Sequence, residues 1–261
     1  MKLESQIVAV NELRAGDVVQ MCHLMQAHYE GVTERQFAAD LSEKQWAILL
    51  HDHNRLCGFS TQVLFDHAYD GGVVKVLFSG DTVIDKSHWG SMALPVAWGR
   101  LMLSLLAAQP DVDFYWLLTS KGYKTYRFLP VFFREFQPCY NAEPTAREKE
   151  LLRSVAVHRF GSRYDAAAGI LRAEPGNQRL REGVAELDSR EQAIGFEKVL
   201  LINPPVSLYR SSKVLDDMLI NNLPGGIDGL DAFLNNLLAR LTEIYRRSAA
   251  VDFGQDLLYQ A

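Results

Sequence analysis

"GGVVKVLFSGDTVIDKSHWGSMALPVAWGRLM", residues 71–102, passes from a β pattern through a His-Trp-Gly-Ser turn directly into a helix. The first half is rich in Val, Leu, Phe and Ile, the composition of a half-buried strand. From about Gly90 to Ala108, Met92, Val96, Leu101, Leu105 and Leu106 recur as the apolar positions of a helix, which ends at "QPD". A second buried strand follows in "DFYWLLTS", residues 113–120. Strand, loop, helix and strand make a crossover unit, so the two strands lie parallel with a right-handed connection.

Reading toward the N-terminus, "WAILLHD" (46–52) and "LCGFSTQVLFDHAY" (56–69) precede the 71–84 strand, joined by "HN" and "DGG". Both joints have hairpin-turn chemistry, and three consecutive antiparallel strands are expected. A short strand over 4–10 comes earlier, then a helix over 16–29 with Val18, Met21, Cys22, Met25 and Tyr29 on one face. Thr33, three residues before Gln36, marks the start of another short helix.

Toward the C-terminus, "YKTYRFLPVFF" (123–133) begins as a helix that Pro130 interrupts, and residues 143–160 form a second one. Residues 161–192 are loop-like, and 193–205 fit either a strand or a helix ended by Pro204. Between 229 and 249, Leu230, Phe233, Leu234, Leu237, Leu238, Leu241, Ile244 and Tyr245 repeat at helical spacing. That stripe is core or a partner surface, a homodimer interface among the options.

Composition narrows the function. The 261 residues carry a net charge of -5 with scattered basic side chains, which excludes the basic footprint of general nucleic-acid binding. No apolar run approaches the roughly 18 residues of a membrane span, and the N-terminus has no secretory signal pattern. Three widely spaced cysteines, Cys22, Cys57 and Cys139, argue against a disulfide framework and a thiolate zinc site, and the cytoplasm is the expected compartment. His51, His53 and His67 would bring a metal trio together, but "DHN" has the chemistry of a turn, so exposed loop histidines and no metal are expected.

The element order over residues 4–140 resembles the GNAT acyltransferase superfamily, in which two parallel strands splay apart around the pantetheine of an acyl-CoA. The family's loop pattern, Arg/Gln-x-x-Gly-x-Gly/Ala, falls on "SHWGSM", with Gly90 at the first glycine, Ser87 at the Arg/Gln position and Met92 at the second small residue. The amides at a helix start suit a pyrophosphate, since they are unpaired and lie at the positive end of the dipole. Lys86, His88 and Ser91 would add charge and a hydroxyl, with Trp89 beside them.

The family's Asn-x-x-Ala-x-x-x-Tyr falls on "TSKGYKTY", with Thr119, Gly122 and Tyr126 in register. The resemblance implies that Tyr126 protonates the departing thiolate, with Tyr123 one turn away. It also implies an acidic residue on the last meander strand as the base for an amine nucleophile. Asp81 has that position, Ser79 stands two residues earlier on what should be the same face, and Gly80 between them permits a bulge. Backbone groups near Thr82 and Ile84 would align the thioester. Lys121, Lys124 and Arg127 are either a solvated face or a contact for phosphate or an acidic carrier protein.

The expected architecture is therefore mixed α/β. It has a GNAT-like central mixed sheet flanked by helices over 1–140 and a mainly helical extension over 141–261. The expected activity is transfer of an acyl group from CoA, or from the phosphopantetheine of an acyl carrier protein, to a small-molecule amine. Two alternatives stand beside it: a non-catalytic ligand-binding or interaction protein, and a different thioester reaction or ligand in the same cleft.

Overall fold

A computed structural model describes residues 3–89, 91–109, 111–119, 144–172, 178–184 and, for the backbone alone, 206–210. The chain divides into two units, Met1–Ser212 and Lys213–Ala261, and the second lies outside the described residues together with the 229–249 stripe. So does the helix expected over 123–133.

The first unit begins with β1 (Glu4–Ala9), α1 (Ala15–His28), β2 (Tyr29–Glu30) and α2 (Glu34–Ser42). The meander β3 (Trp46–Asp52), β4 (Arg55–Tyr69) and β5 (Gly72–Ile84) follows, then α3 (Ala93–Ala107) and β6 (Phe114–Thr119). Beyond these come α4 (Ala146–Phe160) and four short strands, β7 (Tyr164–Asp165), β8 (Ile170–Leu171), β9 (Arg179–Leu180) and β10 (Val206–Arg210).

Six strands form one mixed sheet in the order β1-β3-β4-β5-β6-β10. Its neighbours are antiparallel except β5 and β6, the pair joined by the α3 crossover. The β4–β5 turn places Asp70 and Gly71 at φ 53 and 76, the left-handed pair that a two-residue hairpin requires. Thr33 caps α2 by accepting the Gln36 N–H at 3.2 Å. Thr145 and Glu148 close a full capping box on α4, a device in which the cap alone contributes about 1 kcal/mol.

Two expectations change in the C-terminal half. The segment read as loop contains β7 paired with β8, and β9 paired with β2. These two-residue bridges are too short to leave any periodicity in the sequence. After Pro204 and Pro205, β10 extends the sheet beyond β6.

Helices cover both faces of the sheet. On one face, Met21, Cys22 and Met25 of α1 and Phe37 and Leu41 of α2 pack on Leu49, Phe59 and Val83. Leu151, Val155 and Ala156 of α4 continue that layer over Val76, Phe78 and Leu117. On the other face, Leu94 and Ala97 of α3 pack on Ile48 and Leu50, and Trp98 lies 4.3 Å between ring centroids from Trp116. Among the described residues no helix is long and apolar enough to cross a membrane.

The expectation of exposed loop histidines holds for His53, which sits in the β3–β4 turn at φ 54, but not for His51, a half-buried residue within β3. His67 departs from that expectation too. It is buried under α4, its Nδ1 2.9 Å from His158 Nδ1 and its Nε2 3.0 Å from Ser154 Oγ. Burial, and then the neighbouring His158, hold the His67 imidazole below its ordinary range. The unfolded chain therefore takes up a proton at this position before the folded one does. Stability from this contact is full above about pH 6.5 and declines as the pH falls below it. Thermal unfolding measured between pH 8 and pH 5 should show that acid-side loss, and His67→Gln should flatten it.

Candidate active site at the parting of two parallel strands

The pairing of β5 with β6 runs from Lys75 opposite Phe114 to Ser79 opposite Leu118, and stops there. Beyond it β6 stays paired with β10 through Thr119, while β5 continues to Ile84 beside β4 alone. Among the described residues, the β6-side edge of β5 from Gly80 to Ile84 is thus without a strand partner.

A bulge lies at the point of parting. Gln62 stands opposite Ser79 and Ser60 opposite Thr82, so Thr61 alone faces both Gly80 and Asp81. The extra residue reverses the phase of the ladder. Before it, Lys75 N–H points to β6 and donates to the Asp113 carbonyl at 2.9 Å. After it, Asp85 N–H donates to the Cys57 carbonyl at 2.8 Å, which sets the alternation of the last β5 residues. Strand groups alternate in direction, so Thr82 and Ile84 turn their backbone N–H and C=O away from β4, toward the gap. The gap-facing residues are odd-numbered before the bulge and even-numbered after it.

The same shift corrects the placement of Ser79 and Asp81, which lie on opposite faces of the sheet. Ser79 faces α3, where its Oγ accepts from Trp116 Nε1 at 2.8 Å and donates to Gln62 Oε1 at 2.6 Å. Gln62 Nε2 in turn donates to Ser60 Oγ at 2.7 Å, and Ser60 Oγ shares a proton with Thr82 Oγ1 at 2.7 Å. Ser79, Gln62 and Ser60 are buried, so this is a closed polar relay inside the core.

Asp81 shares the opposite face with Val83, which packs under α1. There it meets Tyr29 at the end of α1. Burial raises the Tyr29 phenol well above the usual tyrosine range, and the Asp81 charge adds to the effect. The pair is a phenol held in its neutral form beside a carboxylate.

Gly80 is required by close approach on this face. A Cβ there would lie 2.7 Å from Lys44 Cε and 2.7 Å from Thr61 Oγ1. Lys44 is fixed in place, its ammonium 2.7 Å from Asp40 Oδ2 and 3.0 Å from the Asp40 carbonyl, with only 1% of its side chain exposed. Sequence reading missed Tyr29, Lys44, Gln62 and Trp116, because each reaches the site from an element distant in sequence.

The turn into α3 is packed in detail. Trp89 Nε1 donates to the Ile84 carbonyl at 2.8 Å, which gives this tryptophan a role in holding the end of β5. Lys86 donates to the Gly183 carbonyl at 2.7 Å, with its ammonium 5.9 Å from the centroid of the Trp89 ring. His88 turns toward Asp52, at 3.8 Å, and its Nδ1 lies 2.9 Å from Ser87 Oγ. At the α3 start, Ser91 Oγ accepts the Ala93 N–H at 3.2 Å, Val96 N–H donates to the Met92 carbonyl, and Pro95 has no N–H. Gly90 and Tyr126 lie outside the described residues.

The solved structures that this chain resembles include acyltransferases. A probable N-acyltransferase from Enterococcus faecalis is 17% identical at a TM-score of 0.37, over 48% of this chain and 31% of that one. The chain thus matches about a third of that protein's length. A GNAT family N-acetyltransferase from Escherichia coli in complex with CoA is 14% identical at a TM-score of 0.34, over 49% and 69% of the two chains. A predicted acetyltransferase from Clostridium acetobutylicum with acetyl-CoA is 8% identical at 0.39, over 54% and 96%. No family model matches the chain, and no curated protein does.

Two substitutions test this geometry. Gly80→Ala should destabilise the fold by about 1–3 kcal/mol in denaturant titration, since neither Thr61 nor the buried Lys44 can withdraw cheaply. Ser79→Ala removes the oxygen that accepts from Trp116 and donates to Gln62, and should also cost about 1–3 kcal/mol.

Proposed function

We propose that the protein binds the pantetheine arm of an acyl-CoA in the gap between β5 and β6 and transfers the acyl group to a small-molecule amine. The observation that carries this reading is the bulge-set parting of the parallel pair, which turns the Thr82 and Ile84 backbone groups away from β4, on the side where β6 no longer pairs with β5. Amide donors in such a gap suit the carbonyls of an extended pantetheine and the oxyanion of a thioester under attack.

The amine approaches from the face that holds Asp81, and Asp81 takes its proton directly or through water as the nitrogen bonds to the acyl carbon. The tetrahedral intermediate then expels the thiolate, which is protonated by Tyr126 in the scheme the resemblance implies. Neutral Tyr29 stands next to Asp81 and orients the carboxylate or the acceptor. Lys86, His88, Trp89, Gly90 and Ser91 form the turn on the cofactor's phosphate side.

One observation favours a second reading, a ligand-binding protein without acyl transfer. In the first turn of α3 the Ala93 N–H is already taken by Ser91 Oγ and Pro95 has no N–H, so fewer donors remain there for a pyrophosphate.

Thermal-shift measurement with CoA, acetyl-CoA and longer acyl-CoAs separates the two. A ligand present at 100 times its Kd should add about 2.7 kcal/mol of stability. Under the acyltransfer reading, Asp81→Asn keeps that shift and loses about 10²–10⁴ in turnover of an amine acceptor, measured by thiol release. A shift with CoA but no thiol release from a panel of amines supports the second reading. No shift with any free CoA points to a donor carried on a protein arm, or to another ligand.

A further inference from the structure

The β3–β4 hairpin and the turn between β5 and α3 bring a carboxylate, a thiol and an imidazole to one point. One ligand atom each from Asp52, Cys57 and His88 lies within 4.8 Å of the others. We propose that these three side chains bind a divalent cation of the zinc class, with water at a fourth position. The inference does not rest on the acyl-transfer reading, although both use the turn that carries His88.

Backbone geometry aims the residues. Leu50 stands opposite Gly58 and His51 opposite Leu56, so Cys57 is the extra residue of a second bulge. A bulge redirects a side chain that strict alternation would place elsewhere. The Cys57 thiol is thereby buried on the α3 side, next to Ile84 and the turn that carries His88.

His88 is oriented as a metal-binding imidazole usually is. Its Nδ1 is tied to Ser87 Oγ at 2.9 Å, and its Nε2 faces Asp52 Oδ2 at 3.8 Å. When the Ser87 hydroxyl accepts from Nδ1–H, Nε2 keeps its lone pair for a cation.

Asp52 has the environment of a ligand in search of charge. Its carboxylate lies 3.8 Å from the imidazoles of His53 and His88, beyond hydrogen-bond range of either. Arg55, the nearby permanent cation, is paired with Asp85 at 3.2 Å, and Lys86 is bonded to the Gly183 carbonyl.

The spacing suits zinc. Legs of about 2.0 Å to nitrogen or oxygen and 2.3 Å to sulfur put tetrahedral ligands roughly 3.3–3.6 Å apart, so side-chain movements of about 1 Å or less per residue, from atoms now within 4.8 Å of one another, close the site. A Cys-His-Asp nucleophile relay fits less well. It needs the carboxylate and the thiol on different ring nitrogens, but Asp52 takes Nε2 and Ser87 holds Nδ1, and the thiol is fully buried.

The test uses the full chain, stripped with chelator and titrated with Co²⁺ and, separately, Zn²⁺. Co²⁺ should produce a sulfur-to-metal charge-transfer band at one equivalent, and Zn²⁺ should raise the unfolding temperature. Cys57→Ser should abolish the band, and Cys22→Ser should leave it. Because Cys57 is a core residue, His88→Gln and Asp52→Asn give the second measurement, each weakening the metal by about 10- to 100-fold with the metal-free circular dichroism unchanged. The proposal is overturned if the wild-type protein shows neither band nor Zn²⁺ shift. It is overturned equally if the band survives Cys57→Ser, or if His88→Gln and Asp52→Asn titrate like wild type.

Discussion

The site depends on the contact between Gly80 and the two side chains above it, Lys44 and Thr61. A glycine at this position lets the buried lysine approach the strand closely, and a Cβ would drive them apart. The same residue belongs to the bulge that puts two residues of β5 against one of β4. Every later position on β5 is then turned half a period from where an unbroken strand would place it. That single extra residue sends Asp81 to the α1 and α2 face, Thr82 and Val83 to opposite faces, and the Thr82 and Ile84 backbone toward the gap.

The two faces that meet at the bulge are built differently. On the α3 side, Trp116, Ser79, Gln62, Ser60 and Thr82 pass hydrogen bonds along a buried line, and such a line is stable only when each member is satisfied. It holds the two parallel strands together up to their last paired residues, since Trp116 is on β6 and Ser79 on β5. On the other side, Asp81, Tyr29 and the Lys44–Asp40 pair place charge and a neutral phenol beside the bulge. A hydrogen-bonded polar seam thus lies on one face of the sheet, and titratable groups on the other, at the point where β5 and β6 part.

The turn from β5 into α3 is held from three directions. Trp89 binds the last carbonyl of β5, Lys86 reaches the Gly183 segment, and His88 faces the β3–β4 hairpin. With Ser91 capping the helix and Pro95 in its first turn, this corner has less amide capacity for an anion than its glycine and serine suggest in isolation. The residue types at a helix start indicate an anion site only when their donors are not spent on each other.

Much of the frame was legible in the sequence, because it is written in local periodicity. The apolar runs over 46–84, the Asp70–Gly71 turn, the helical stripes of α1 and α3, and the Thr33 cap each report on neighbours a few residues away. Given those elements, the single-helix crossover determined that β6 would run parallel to β5. Even the bulge was signalled by a glycine inside a strand. Its consequence was not, because which face a side chain takes after a bulge depends on the register with β4, a partner about twenty positions away. Tyr29 beside Asp81, Lys44 over Gly80, and Cys57 between Asp52 and His88 were decided only in the tertiary structure. Each joins residues whose separation along the chain carries no periodic signal, and packing alone brings them within reach.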